Sequence, residues 1–205
     1  MAINIAVKRG RKVQRRKQMV AQKRRLEKIE ASLPAQVLRA AELPIQRCLL
    51  TRSLFETGIG TLIVARGVTR HHVRAASFLL DVFCLGIKDV MFRSFEEDEL
   101  EIYLEMADAE SSMREVDPAQ ARKLLGDLAA WSQSIGFPPH SDFTAVERIF
   151  GEVSADAGEA EFRFGRDDKP LYIPGPYDSD LVIRRRVEQL RKLLGEGGFQ
   201  LDTAA

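Results

Sequence analysis

Residues 44–95 read PIQRCLLTRSLFETGIGTLIVARGVTRHHVRAASFLLDVFCLGIKDVMFRSF, and this stretch decides the fold. It holds the densest run of β-branched, aromatic and apolar residues in the chain, a composition that favours strands. Turn-forming residues divide it into three predicted strands, at residues 45–52, 60–67 and 73–84. Consecutive strands with short connections most often pair antiparallel, so we expect a three-stranded antiparallel meander.

Helix patterns dominate the rest of the chain. Asp117 followed by Pro118 predicts a helix start, because an Asp side chain caps free N–H groups and Pro lacks one. That helix should run to Ile135 and end at Gly136. Further helices are predicted at residues 34–43, 96–107 and 181–194, with a short one ending at residue 150. Residues 161–165 and 170–173 alternate around a turn and predict a C-terminal hairpin. The predicted class is therefore α+β, with helices packed on the meander.

The composition is that of an ordinary globular protein. With 205 residues, 45% of them hydrophobic, the chain fits a single α+β domain at residues 34–195, a basic arm at 1–33 and a loose tail at 196–205. Cys48 and Cys84 both fall in predicted strands outside any C-x-x-C pair, which indicates buried apolar residues and a reducing compartment. No secretory signal and no membrane-spanning run is found, so we expect a cytoplasmic protein.

Charge is divided unevenly along the chain. Residues 1–30 hold eleven Lys or Arg against Glu27 and Glu30, a net charge of +9, whereas residues 31–205 hold twenty basic against twenty-eight acidic residues, a net charge of −8. Such a basic helical arm is suited to neutralising phosphates, so we expect RNA, DNA or a ribonucleoprotein as partner. The predicted contacts are Lys8, Arg9, Arg11, Lys12, Arg15, Arg16, Lys17, Lys23, Arg24 and Arg25, with Lys28 at the end of the segment.

Two other interpretations of the arm remain open. It could be a solvated helix lying against the acidic body, or it could neutralise an acidic protein partner in an adaptor. The arm contains no aromatic residue on which a base could stack, so binding to nucleic acid should be poorly sequence-specific. The sequence favours a binding protein over an enzyme, and it predicts no cofactor.

A set of carboxylates gives the alternative function of a metal-dependent hydrolase resembling a nuclease. Glu56, Asp81 and Asp89 could together hold a divalent metal that activates water, with Lys88 stabilising negative charge. His140 and Asp142 are further candidate ligands. Structural roles are the favoured interpretation of the same residues: Asp81 would pair with Lys88 or an Arg, and Glu56 and Asp142 would cap turns or helices. The spacing alone does not force these side chains together.

Residues 166–179 are rich in Pro and Gly and run from the turn of the predicted hairpin to the start of the last helix. Such residues stiffen a surface loop, and Tyr172 and Tyr177 supply two amphipathic rings. This composition predicts an interaction site with a protein partner. Simple stiffening of the loop is the alternative interpretation.

Four blocks, in order, resemble one uncharacterised family of bacterial cytosolic proteins. They are LFETGIG at 54–60, FLLDVFCLGIKD at 78–89, GFPPHSD at 136–142 and FGRDDKPLYIPGPYDS at 164–179. Some family members also carry a basic N-terminal arm, and some carry a metal-binding SEC-C tail. The resemblance implies no established activity and no catalytic residue. No cysteine follows Leu194, so it implies no metal-binding tail here.

Overall fold

A computed structural model describes residues 31–69, 72–96 and 99–202. The basic segment at residues 8–28, together with its predicted helix, lies outside the described residues. The described residues have the α+β class expected from the sequence. Their helices are α1 (Leu33–Ala41), α2 (Leu54–Thr57), α3 (Glu99–Glu110), α4 (Pro118–Ser134), α5 (Phe143–Val146) and α6 (Asp180–Leu194), with 3-10 turns at Glu147–Phe150 and Ala155–Ala157.

The main sheet has five antiparallel strands in the order β4-β3-β2-β1-β5. They are β1 (Ile45–Thr51), β2 (Ile59–Arg66), β3 (Val73–Asp81), β4 (Gly86–Phe95) and β5 (Met113–Glu115). The first two lie within one residue of their predicted bounds, β3 begins at its predicted residue, and the three pair antiparallel. The predicted three-stranded sheet nevertheless lacks two strands. Strand β4 pairs with β3 and forms one edge of the sheet, and β5 pairs with β1 and forms the other edge.

The missed strand β4 is explained by a turn hidden in an apolar run. The third strand was expected to continue to residue 84, but it ends at Asp81. There the Asp81 Oδ1 atom accepts hydrogen bonds from the backbone N–H groups of Phe83 and Cys84. Gly86 then adopts a φ of +72°, a value that favours glycine, and the chain reverses into β4.

The sheet is covered by helices on both faces, which explains why its strands read as continuous apolar runs. On the inner face Leu62, Phe78 and Leu80 pack against α1, α4 and α5. On the outer face Ile63 and Phe95 pack against α3. The Asp117 side chain accepts hydrogen bonds from the N–H groups at positions 119 and 120, so the predicted start of α4 is confirmed.

The predicted C-terminal hairpin is wrong. Only an isolated bridge joins Arg166 and Lys169, and residues 161–165 form no strand. Instead, the N–H groups of Gly165 and Leu171 donate to the turn after β3, at the carbonyls of residues 82 and 83. Strand β6 (Leu171–Tyr172) pairs in parallel with β7 (Gln200–Leu201), so part of the expected loose tail is tied back to the body.

Candidate functional site

The predicted carboxylate set does not assemble. Glu56 is exposed and lines a cleft with Arg166 and Asp167, whereas Asp81 lines a different cavity, and Phe83 borders both. Asp89 is exposed on β4, and its own Oδ1 accepts from the N–H of residue 90. Within residues 31–69, 72–96 and 99–202, no three His, Cys, Asp or Glu side chains are grouped so that they could hold a metal ion.

Asp81 has a structural role, as a cap of its own turn rather than as an ion-pair partner. Its side chain caps the turn between β3 and β4, as described above, and is 8% exposed. Burial raises the pKa of the Asp81 carboxyl, and the Cys84 N–H, the charge of Lys88 and two further backbone N–H groups oppose this rise only in part. Asp81 therefore holds the turn that positions Lys88 at the start of β4.

The weak metal candidates His140 and Asp142 lie on the loop after α4. The His140 Nδ1 atom accepts a hydrogen bond from the N–H of Asp142 at 3.3 Å, so its Nε2 atom carries the proton in the neutral ring. The nearest carboxylate oxygen, Asp89 Oδ1, lies 3.8 Å from Nε2. That distance is too long for a hydrogen bond, so the Nε2–H group is free to donate elsewhere.

The two tyrosines of the predicted interaction loop have opposite environments. Tyr177 is 99% exposed and agrees with a surface role. Tyr172 is fully buried in a cluster with Cys84, Leu85 and Leu190, so it cannot contact a partner directly. The prediction for Tyr172 is therefore wrong, because β6 pairing turns its ring under α6.

Buried Tyr172 belongs to a polar network that sequence reasoning missed. Its hydroxyl donates to Asp178 Oδ2 at 3.1 Å and accepts from Arg186 Nη1 at 3.2 Å. The same Asp178 oxygen accepts from Arg186 Nη1 and from the N–H of Gly175. The detectable signal was the position of Arg186: it lies one turn before Leu190, on the apolar stripe of α6, where a cation needs a partner.

This network holds the wall of a small apolar cavity. The cavity has a volume of about 280 Å³ and lies between the β3–β4 turn and the Pro-Gly-Pro segment at 174–176. Phe83, Ile59 and Ile173 supply apolar surface, and Asp81 and Lys88 supply its charged groups. We call it the apolar cavity.

A second pocket adjoins it through Lys88. This pocket has a volume of about 220 Å³ and is lined by Lys88, His140 and Arg186, with Leu85, Ile87, Phe137 and Pro138 as apolar wall. Among the residues named, none is acidic. We call it the basic pocket, and its composition suits an anion.

The outer face of the sheet carries a larger and more open groove. It has a volume of about 890 Å³ between Ile59 and Leu79 of the sheet and Tyr103 and Met106 of α3. Ile59 and Met106 are 45% and 67% exposed. The groove brings together no set of groups with evident chemistry.

The described residues thus form an α+β protein with two small pockets that share Lys88 beside the β3–β4 turn. Comparison of the chain with protein-family models, with curated proteins and with solved structures found no match in any of the three. In the part of the chain that the structure describes, no helix is long and apolar enough to cross a membrane.

Proposed function

We propose that this is a cytoplasmic protein that associates with RNA, DNA or a ribonucleoprotein through its basic segment at residues 8–28. The observation that carries the proposal is the charge division of +9 on residues 1–30 against −8 on the rest of the chain. A segment that is basic along its whole length is attracted to a phosphate backbone, and each neutralised phosphate releases bound counterions.

The charges of the body support an oriented association. Helix α3 holds five acidic residues and no basic one, so its surface is repelled by phosphates. Helix α6 exposes Arg184, Arg185 and Lys192 and could approach a polyanion more easily. The acidic helix α3 should therefore face away from the nucleic acid.

Low sequence specificity is part of the proposal. Base edges are read by side chains fixed in a groove, and single-stranded bases are held by stacking on aromatic rings. Residues 8–28 contain no aromatic residue, so their contacts are with phosphates. Membership of the uncharacterised bacterial family is a further part of this proposal, and it rests on the four sequence blocks alone.

The test compares two triple variants of the full-length protein. One replaces Arg15, Arg16 and Lys23 by Gln, and the matched control replaces the exposed Arg184, Arg185 and Lys192 of α6 by Gln. Affinity for duplex DNA and for single-stranded RNA is measured from about 0.05 M to about 0.2 M salt. The arm variant should lower the slope of log affinity against log salt by roughly three, since each lost phosphate contact removes about one.

The control should change that slope less than the arm variant. Equal, salt-insensitive binding by the wild type and the arm variant would contradict the proposal. So would the capture of discrete proteins from lysate by both variants after nuclease treatment, which is the outcome expected of a protein adaptor.

A further inference from the structure

We propose that the basic pocket and the apolar cavity form one binding site for a small molecule that carries a carboxylate or phosphate on an apolar body. The site is centred on Lys88 and is separate from the basic segment at residues 8–28. It does not depend on the proposed association with nucleic acid.

Lys88 is positioned by an irregularity in the sheet. In the β3–β4 pairing Leu79 lies opposite Asp89 and Leu80 lies opposite Ile87, so Lys88 is an extra residue without a partner on β3. A bulge of this kind redirects a side chain and is common beside functional sites. Here it places the Lys88 side chain on the boundary between the two compartments.

The Lys88 ammonium makes no direct polar contact within the described residues. It makes neither a hydrogen bond nor an ion pair with any residue in the described ranges 31–69, 72–96 and 99–202, although Asp81 and Asp178 act on it at longer range. Both carboxylates have other partners: Asp81 accepts from two backbone N–H groups, and Asp178 accepts from Arg186, Tyr172 and Gly175. The Lys88 ammonium is therefore available to bind an anion at the boundary of the two pockets.

Two further donors line the same pocket. Arg186 uses Nη1 for both Tyr172 and Asp178, so its Nη2 and Nε groups remain as donors. His140 carries its proton on Nε2, because Nδ1 accepts from the N–H of Asp142, and the Asp89 carboxylate lies 3.8 Å from that Nε2 atom. One ammonium, one guanidinium and one imidazole N–H around about 220 Å³ provide directed donors for a single carboxylate or phosphate.

The apolar cavity limits the polarity and size of the uncharged part of the ligand. Asp81 lies in this compartment and would repel an anion, so the charged end belongs in the basic pocket and the apolar body belongs against Phe83 and Ile59. A volume of about 280 Å³ lies just below the usual range for sites of drug-sized ligands. The body is therefore about the size of one aromatic ring or a short branched chain.

The experiment titrates the full-length protein at near-physiological salt with phenyl phosphate, phenylacetate and inorganic phosphate, using calorimetry. Phenyl phosphate or phenylacetate should bind saturably, and the tighter of the two identifies the head group. Lys88→Met, which keeps most of the aliphatic stem, should weaken that binding by about tenfold or more, because a charge-assisted contact is lost. The exposed Lys192→Met is the matched control and should leave it unchanged.

A second variant separates the two compartments. Ile59→Thr keeps a β-branched residue in β2 but makes the wall of the apolar cavity more polar. This substitution should lower the affinity for the aromatic probe several-fold and leave the affinity for inorganic phosphate unchanged. The proposal is overturned if neither aromatic probe binds saturably or if Lys88→Met and Lys192→Met bind the probe equally. It is also overturned if Ile59→Thr lowers the affinity for inorganic phosphate as much as the affinity for the aromatic probe. Retained binding of phenyl phosphate by a protein that fails to bind nucleic acid would leave this site supported and the proposed function refuted.

Discussion

The Asp178 carboxylate and the Arg186 guanidinium form a partly buried ion pair, with Oδ2 and Nη1 separated by 2.5 Å. The side chains are 18% and 28% exposed, and the pair joins the first residues after the Pro-Gly-Pro segment to the middle of α6. Because Asp178 also accepts from the N–H of Gly175, the pair fixes one wall of the apolar cavity. Its integrity therefore controls both local stability and the shape of the proposed ligand site.

The first prediction concerns the contribution of Asp178 to stability at acidic pH. Burial alone would raise the pKa of this carboxyl, but the Gly175 N–H and the charge of Arg186 outweigh it, so the pKa lies below its ordinary value. Because this pKa is lower in the folded than in the unfolded state, the ionised carboxyl stabilises the fold. This contribution is present in full above the unfolded-state pKa of about 4 and is lost as pH falls through the folded-state pKa. The advantage of the wild type over Asp178→Asn, measured by urea unfolding, should shrink over that acidic range. An advantage that grows on acidification would contradict the assignment.

Asp81 should show the opposite sign. Burial raises the pKa of the Asp81 carboxyl, so ionisation at neutral pH works against the folded state. Asp81→Asn keeps an oxygen that can accept from the N–H groups of Phe83 and Cys84 but removes the charge. The variant should be more stable than the wild type at neutral pH, and its advantage should vanish below about pH 4, where the unfolded carboxyl is also protonated. A variant that is less stable at neutral pH would show that the charged form holds the turn.

The sequence predicts the elements whose signals are local. Alternation and β-branching mark β1 and β2, and the Asp117-Pro118 pair marks the start of α4, since each depends on neighbouring residues. The third strand was drawn too long because residues 78–84 are apolar throughout, and only the Asp81 side chain marks the turn. Strand β5 has three residues, too few to give a periodic pattern, and it exists because it completes the edge beside β1.

The candidate site was less predictable than the fold, because it depends on long-range contacts. Lys88 was named as a charge-stabilising residue, but its role in the bulge requires the register between β3 and β4. Arg186 and Asp178 lie eight residues apart across a helix start, and their pairing with Tyr172 depends on β6 meeting β7. The tyrosine environments could not be assigned from the loop composition, since β6–β7 pairing decides which ring is covered.

Arg66 should be a major stabilising residue. Its guanidinium is buried and donates to the carbonyls of Ala41, Leu43 and Phe150, which ties α1 and the 3-10 turn at Glu147–Phe150 to the end of β2. Arg66→Met leaves three carbonyls without a charged donor and should cost roughly 3 kcal/mol in the free energy of unfolding. Arg114→Met, at an exposed position of β5, is the control and should change it by less than about 0.5 kcal/mol. Equal effects would show that the Arg66 contacts contribute little.

The two cysteines should be unreactive in the folded protein. Burial, followed by the charges of Glu115 and Asp117, raises the pKa of Cys48 to about 12. Burial also raises the pKa of Cys84, and the neighbouring Asp81 adds to the rise. Because the thiolate is the nucleophile, a disulfide reagent at about pH 8 should modify neither thiol in native protein and both in denaturant. Rapid reaction of either thiol without unfolding would contradict its burial.

Substitution by alanine at two glycines, Gly86 and Gly126, should change the stability of the protein in opposite directions. An added Cβ at Gly86 would lie 2.2 Å from the Ser132 Oγ atom, and its φ of +72° is unfavourable for any other residue. Gly86→Ala should therefore destabilise the protein by about 2 kcal/mol or more, since the strain and the clash both act. Gly126 lies within α4, where an added Cβ meets nothing within 4 Å, and Gly126→Ala should stabilise the protein by up to about 1 kcal/mol. Chemical denaturation of both variants at neutral pH measures the difference, and similar effects of the two would show that the turn before β4 is not as tight as described.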